Sequence, residues 1–575
     1  MKQKLNKTTH GKAIIYCLVI LFTLSSLAAV LPSDISNQGQ NQSGYTEKNA
    51  SNRLQNGLAL TPPMGFNNWA RYQCGDDFNE NTFIRIADTL VNNGLAAKGY
   101  VYITVDDCWM KKERDADGNL VVDDTRFPNG MKWLGDALHQ KGLKFGIYQN
   151  GGTQTCAGYP GSFGYFQQDA NLFAEWGVDY IKFDFCNPPP TAEGSTFEVL
   201  TRQIYSEMSA AITASGRPMI FSESAPAYFV GGEDYTKVMD WVGLYGHLWR
   251  VTNDIPNHNT TDKWEGIISN YEGNVTLAAY AGPGSWNDPD FLIIGDDDND
   301  LATIEQRSQM SLWAIMAAPL ILSTNVDSLT SSDLAILGNE DVIAIDQDSL
   351  GIQGTRVLSE NGVDVIAKRL SNGDIATALF NKENPNAVNA TIHADTIGFN
   401  SPGCYSVKNL WTGIVTQTTD EITVNLPEHD TALLRVSEST GCGVTDPTST
   451  PVNLISVEGE SGEFKGAAKT GLCLACSGGR LAGFIGGGPD NSMTLAIDAG
   501  EGGTKNLNIY YVIEGTRKLY ISVNGDAGAS FDLSSDSWNR PAVLTLVAQL
   551  APGVNTFRFY NDSDFAPSID RITIQ

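Results

Sequence analysis

The 575-residue chain reads as an α/β protein: a (β/α)8 TIM barrel, then a small antiparallel β domain, then a C-terminal β-sandwich. Three observations predict this. From about Leu58, short apolar segments alternate with amphipathic helical stretches for about 280 residues, the pattern of βαβ units that form a parallel sheet. Polar residues gather at the C-terminal ends of those segments, the face where barrels carry their active sites. Beyond about Asp348 the helical period disappears, and alternating strands separated by turn residues take over. An open doubly wound sheet would also accommodate six or seven of the strands. It would instead collect its ligand groups at one switch point, and no phosphate-binding glycine fingerprint follows the first strand.

In chain order, Lys2, Lys4, Lys7 and Lys12 precede an apolar run from Ala13 to Val30. This is a charged n-region and an h-region, so residues 1–31 read as a signal peptide, with Ser26-Leu27-Ala28 as a small-residue cleavage site. An uncleaved signal anchor is the alternative. Residues 32–56 are polar and aperiodic, a flexible leader. The barrel is expected over 57–347. Its strands are MGFNNW (64–69), YVYITVDDCW (100–109), KFGIYQN (144–150), YIKFDFC (180–186), PMIFSES (218–224), VGLYGHLWR (242–250), a short piece before WNDPD (286–290), and PLILSTN (319–325). Helical stretches such as NTFIRIADTLVNNGLAAKG and MKWLGDALHQKG lie between them, the second ending in a Lys-Gly stop. Residues 348–438 form the antiparallel domain, 439–452 a linker by composition, and 453–575 the sandwich, with strands at MTLAIDA, LNIYYVI, KLYISVNG, AVLTLVA, NTFRFYN and DRITIQ.

The formal net charge of -28 argues against nucleic-acid phosphates as a partner. No stretch beyond the N-terminus is long and apolar enough to span a bilayer, so no membrane association is expected after signal cleavage. Six scattered histidines offer no His-x-x-x-His pair, and no G-x-S-x-G elbow occurs, which disfavours zinc hydrolysis and serine catalysis. Of nine cysteines, Cys17 lies in the signal. The other eight are an even number, as suits disulfides in an oxidising compartment. Asn41, Asn49, Asn259, Asn274, Asn389 and Asn561 begin N-x-Ser/Thr sequons, consistent with a secreted, extracellular glycoprotein.

The reactive groups that remain are carboxylates at strand ends. Polar residues end most strands: Asn67 and Trp69, Asp106 and Asp107, Tyr148 and Asn150, Asp184, Glu223, Arg250. In YIKFDFC, Lys182 and Asp184 are two apart and share a face, with Cys186 next in that row. Phe183 and Phe185 point the other way. A single aspartate ending a strand is ordinarily a turn cap. Five such ends on one face point to a site.

In order, MGFNNW, DDCW, RFPNG, GIY, TCAGYPGSFGY, WGVDYIKFDFC, WRVTNDI and WNDPDFL resemble glycoside hydrolase family 27, the melibiase-like α-galactosidases and α-N-acetylgalactosaminidases. The resemblance covers about residues 58–436. It implies a retaining glycosidase with no cofactor for catalysis. By the resemblance, Asp184 takes the nucleophile's position and Asp254 that of the acid/base, the carboxylate pair a double displacement requires. Lys182 would favour the anionic form of Asp184, while neighbouring carboxylates would raise the pKa of Asp254. Asp106 and Asp107 match the acceptors for the galactose 4- and 6-hydroxyls. Trp69 matches the aromatic stacked on the sugar, and Tyr148 the tyrosine ending the third strand. Arg250 would bind sugar hydroxyls or the carboxylates, or serve a structural ion pair. Cys74–Cys108 and Cys156–Cys186 are the implied disulfides.

The expected substrate is a terminal α-D-galactoside of oligosaccharides or galactomannan side chains. FSESAPAYF departs from the family's common C-E-W. Aligned on Pro226 and Tyr228, Ser224 and Ala227 face the sugar's 2-position, as in the α-N-acetylgalactosaminidases. A one-residue shift returns Glu223 there. β-L-Arabinopyranosidase is a third reading, which Asp106 disfavours, and a non-catalytic carbohydrate-binding protein is a remote fourth. The last 120 residues or so resemble carbohydrate-binding modules of families 35 and 6, through V-E-G-E, SGGRLAGFIG and D-R-I-T-I. That likeness implies a structural calcium on Glu458, Glu460 and Asp570. Cys404–Cys442 and Cys473–Cys476 are the remaining candidate disulfides. Oligomeric state is not legible.

Overall fold

The computed structural model describes Leu54 and residues 56–258, 260–298, 300–399, 403–439, 455–473, 476, 480–488, 490–500 and 502–574. The expected signal peptide and nearly all of the leader and linker lie outside the described residues, as do Asn41, Asn49, Asn259 and Cys442.

Eight parallel strands form the first sheet among the described residues: β1 (Met64–Asn67), β2 (Tyr102–Val105), β3 (Lys144–Asn150), β4 (Tyr180–Asp184), β5 (Ile220–Glu223), β6 (Leu248–Arg250), β7 (Trp286–Asp288) and β8 (Leu320–Leu322). Their spatial order is β7-β6-β5-β4-β3-β2-β1-β8. The two ends meet just beyond β7. Leu292 bridges to Leu322 in parallel, its N–H donating to Ile321 O (2.8 Å) and its carbonyl accepting from Ser323 N–H (2.9 Å). That contact closes the TIM-like barrel.

The strands are short and apolar on both sides because helices cover the outside and side chains fill the inside. Tyr102, Tyr180, Ile220, Leu248 and Trp286 pack together as the barrel's floor. The outer helices form where the sequence supplies a cap and an apolar stripe. Asn79 accepts from the N–H groups of Asn81 and Thr82, and the helix Glu80–Asn92 then buries Phe83, Ile86, Ala87 and Leu90. Thr196 likewise starts Phe197–Ala214, accepting from Val199 N–H.

The antiparallel domain has a six-stranded sheet in the order Val415–Thr418, Tyr405–Asn409, Thr431–Glu438, Ile375–Asn381, Val363–Arg369, Thr355–Glu360, with Val388–His393 and Glu421–Leu426 paired beside it. It is tied to the barrel by polar contacts: Arg307 to Asp430 (2.7 Å), Arg356 to Glu272 (2.8 Å), and the Tyr271 hydroxyl to Asp364 (2.8 Å). The C-terminal β-sandwich buries its own apolar core, including Leu495, Ile509, Ile521, Phe557, Phe559 and Ile572.

Four sequence expectations change. VGLYGHLWR is not one strand: Val242 ends the helix Tyr235–Val242, a turn follows, and only Leu248–Arg250 is extended. The seventh strand is WND itself, not a piece before it. LNIYYVI and KLYISVNG merge into one strand, Gly503–Val523, which pairs first with Ser568–Ile574 and then with Val554–Tyr560; a strand can pass between neighbours in this way without a turn. Asn274 is 0% exposed and Asn561 2%, so neither sequon presents an acceptor; Asn389 is exposed.

Candidate active site

Side-chain parity decides what each strand end presents. In the parallel ladder, Tyr148 pairs with Lys182, Asn150 with Asp184, Lys182 with Ser222, and Arg250 with Asp288. Paired residues share a face, so this set lines the barrel interior above the floor. Phe183, Glu223, Trp249 and Asn287 form the opposite row, outside the barrel.

Asp106 and Asp107 follow β2 and are both 1% exposed. Asp106 accepts from Asn67 Nδ2 (2.6 Å) and Lys182 Nζ (2.8 Å), and its own N–H donates to Asn68 Oδ1 (2.8 Å). Asp107 accepts from the N–H groups of Ala157 (2.9 Å) and Cys108 (2.7 Å); burial still pushes its carboxyl up to about 6. Lys182 is therefore bonded to Asp106 rather than to Asp184. Burial alone would lower its pKa, but Asp106 and then Asp184 outweigh burial and hold it above the ordinary value. Its ammonium also lies 5.3 Å from the ring centres of Tyr148 and Phe291 and 5.9 Å from that of Trp69. Trp69 is fixed by its N–H to Asn67 Oδ1 (2.8 Å). Tyr148 is buried, and burial followed by Asp184 raises its hydroxyl's pKa.

Asp184 ends β4 partly exposed. Its Oδ1 accepts from the Tyr228 hydroxyl (3.1 Å), which itself accepts from Phe185 N–H (3.0 Å). Burial, then Asp184, raises the pKa of Tyr228, and Asp254 adds to the shift, so the tyrosine feels both carboxylates. Disulfides Cys74–Cys108 and Cys156–Cys186 hold the loops around this mouth. The backbones pack closely there: a Cβ on Gly152 would sit 1.9 Å from the carbonyl oxygen of Cys186.

Asp254 lies beyond β6 with its side chain 76% exposed, 3.1 Å from Arg250 Nη2. The Arg250 guanidinium holds its carboxyl below the usual carboxylate range. This overturns the expectation of a raised value: the nearest charge is a cation, and it outweighs burial, the effect that would raise the carboxyl.

Glu223 does not reach the mouth. It is 0% exposed in the outer row, beneath Gly246, where a Cβ would lie 2.6 Å from its Oε1. Neither carboxylate oxygen has a hydrogen-bond partner, and burial raises its pKa well above the ordinary value. The reading that places Glu223 at the sugar's 2-position is thus overturned. Ser224 is buried at the strand's end, its N–H donating to Phe183 O (3.1 Å), while Ala227 is half-buried beside Tyr228.

Two residues not singled out from the sequence join the site. Asp290 is 2% exposed; its Oδ1 lies 3.0 Å from Arg250 Nη1 and its Oδ2 accepts from Ile255 N–H (2.7 Å). Asp288 is buried on the interior row of β7. The Asp-Pro-Asp of WNDPDFL was the available signal.

In the C-terminal domain Cys473 pairs with Cys476. Glu458 and Glu460 flank Gly459, where a Cβ would lie 2.8 Å from the carbonyl oxygen of Asp570. Among the described residues the group of three whose ligand atoms lie within 4.8 Å of one another is His258, Asp296 and Asp297, and Lys263 Nζ already sits 2.5 Å from Asp296.

Two family models match the chain: alpha galactosidase A over residues 61–348, and the alpha galactosidase C-terminal beta sandwich domain over 360–436. Alpha-galactosidase A of Aspergillus niger is 42% identical over 407 residues, 70% of this chain and 74% of that protein. Among solved structures, alpha-galactosidase I from Mortierella vinacea superposes with a TM-score of 0.61 at 30% identity, covering 67% of this chain and 99% of that one. The alpha-galactosidase of Saccharomyces cerevisiae with raffinose gives 0.59 at 28%, covering 67% and 100%. With those matches laid over the carboxylate-lined barrel mouth, the chain belongs to the melibiase family, glycoside hydrolase family 27, and is a glycosidase.

Proposed function

We propose that the protein is a secreted retaining exo-α-galactosidase acting on terminal α-galactosides of oligosaccharides and galactomannan side chains. The observation that carries this reading is the pairing of two differently supported carboxylates at one barrel mouth. Asp184 accepts from Tyr228 close to Lys182, and Asp254 stands exposed on Arg250. Asp184 attacks the anomeric carbon while Asp254 gives its proton to the departing glycosidic oxygen. Asp254 then takes a proton from water, which releases the sugar from Asp184 with its anomeric configuration retained. The chemistry supplies its own nucleophile and acid, and no cofactor enters it.

Asp106 and Asp107 accept from the 4- and 6-hydroxyls, and Trp69 and Tyr148 present aromatic surface to the ring. The raffinose held by the yeast relative supports an α-galactoside as substrate. The disulfides suit an oxidising extracellular setting. We read the C-terminal sandwich as a carbohydrate-binding module, with exposed Phe484, Trp538 and Phe565 as its candidate sugar-facing aromatics.

One observation favours a second reading. With Glu223 turned outward, the residues nearest the 2-position are Ser224 and Ala227, small enough to admit an acetamido group. A rate panel of 4-nitrophenyl α-galactoside and 4-nitrophenyl α-N-acetylgalactosaminide decides between the two, with the galactoside expected to be faster. A faster acetamido sugar reverses the substrate. Asp184→Asn should abolish turnover of both while leaving the fold intact; near-normal kcat would refute the nucleophile.

A further inference from the structure

Arg250 is shared. One end of its guanidinium lies 3.0 Å from Asp290 Oδ1, and the other donates to Asp254 Oδ1 at 3.1 Å. The same outer nitrogen, Nη2, also donates to the carbonyls of Thr252 (3.3 Å) and Asn253 (2.9 Å). Asp290 therefore grips the Asp254 loop at both ends, through Arg250 before it and through Ile255 N–H after it. The backbone is committed to this arrangement. Asp290 adopts φ +80°, a left-handed conformation uncommon for a non-glycine residue, and it is held there by its N–H on Asp288 Oδ1 (2.8 Å) and its carbonyl on Trp313 Nε1 (2.8 Å).

We propose that Asp290 is a positioning residue that acts on Asp254 through Arg250: the two carboxylates titrate as one coupled pair around a single guanidinium, and Asp290 carries the negative charge whenever Asp254 holds the proton. The inference rests on Asp254 being the acid.

The charge count shows why a partner is needed. Alone beside Arg250, Asp254 would be a poor proton holder, because the cation favours its anion. A second carboxylate on the same cation restores the balance. Buried Asp290 and exposed Asp254 cannot both ionise freely, so one proton stays in the pair over a wide pH range. Burial, moderated by Arg250 and reinforced by Asp254 and Asp288, pushes Asp290 up to about 7. Asp254 exchanges its proton directly with solvent, so no relay is required. Asp288 on β7, Lys182 and Asp184 on β4, and Tyr228 after β5 are the other titratable groups facing this pair. Of these, Asp288 is itself raised by burial and adds to the proton affinity of Asp290.

The test is the pH profile of kcat/KM. For melibiose, whose sugar leaving group needs protonation, the wild-type alkaline limb should fall near pH 7, the second ionisation of the pair. A limb at the ordinary carboxylate value overturns the proposal without any mutant. Asp290→Asn keeps an acceptor for Ile255 N–H and removes the charge; its limb should move about 1–3 units toward acid. Asp290→Glu restores the charge and should return the limb toward the wild-type position, even with kcat lowered by the displaced loop. A purely structural Asp290 would lower kcat in both variants without moving the limb, and that result overturns the proposal. A separate control isolates the underlying reading. Asp254→Ala should spare 2,4-dinitrophenyl α-galactoside far more than melibiose in the glycosylation step. Equal losses on both substrates would refute Asp254 as the acid, whatever the Asp290 variants do.

Discussion

Replacing Glu223 by glutamine should stabilise the protein at neutral pH and do nothing at pH 4. Glu223 is fully buried, has no partner for either oxygen, and is held protonated by burial. Below the unfolded-chain glutamate value of about 4.3, folded and unfolded states are both protonated, and the acid and the amide are near-equivalent in shape and polarity. Above that value the unfolded chain releases its proton while the folded protein keeps it. Stability therefore falls as pH rises, by about 1.4 kcal/mol per unit, until the folded group's own raised pKa is reached. Each unit over which the folded group stays protonated costs the wild type about 1.4 kcal/mol that Glu223→Gln retains. Urea unfolding of both proteins at pH 4.0, 5.5 and 6.5 reads the difference, which should open progressively as a growing gap between their midpoint urea concentrations. A gap that is constant with pH, or that narrows as pH rises, would refute the reasoning. The same variant should leave kcat/KM on the galactoside unchanged, because the side chain lies outside the barrel; a weakened KM would return Glu223 to the sugar.

Two further outcomes follow from individual contacts. Tyr228→Phe removes the hydrogen bond to Asp184 Oδ1, worth about 1.5–3 kcal/mol for a charged acceptor, so kcat should fall about 10- to 100-fold with KM little changed. Steady-state kinetics check it, and an unchanged kcat would show that the bond does not support the nucleophile. Arg114→Met strips the bidentate partner from Asp169, which is 0% exposed and otherwise held by Ser162 Oγ (2.6 Å). A buried carboxylate left unpaired should cost about 3–5 kcal/mol in denaturant unfolding, where a loss within 0.5 kcal/mol would mean that water reaches the site.

What the sequence made legible, and what it hid, divides along physical lines. Strand period and helix caps are local, so the barrel strands around Phe66, Ile103, Ile147 and Ile181 could be read directly. So could the common face of Lys182 and Asp184, because residues two apart on one strand must share a face, although the partner that Lys182 bonds is Asp106. Which face is inward is not local. A barrel strand is buried on both sides, so PMIFSES carries no polar-apolar alternation to orient it, and Glu223 could be aimed at the sugar or away from it with equal sense. Only its ladder partners, Phe183 and Trp249, decide. The charge on Asp254 was misjudged for a related reason. Arg250 lies four residues away in sequence, but the sign of the pKa shift depends on which charge ends nearest, and the turn after β6 brings the guanidinium to 3.1 Å. Asp290 was hidden more deeply, because its partners lie 35 and 40 residues earlier and the left-handed turn that aims it follows a proline. A strained aspartate bought at a barrel mouth is a different kind of signal from a strand-end carboxylate. It implies contacts strong enough to hold it, and here those contacts lead through Arg250 to the one residue whose proton the reaction needs.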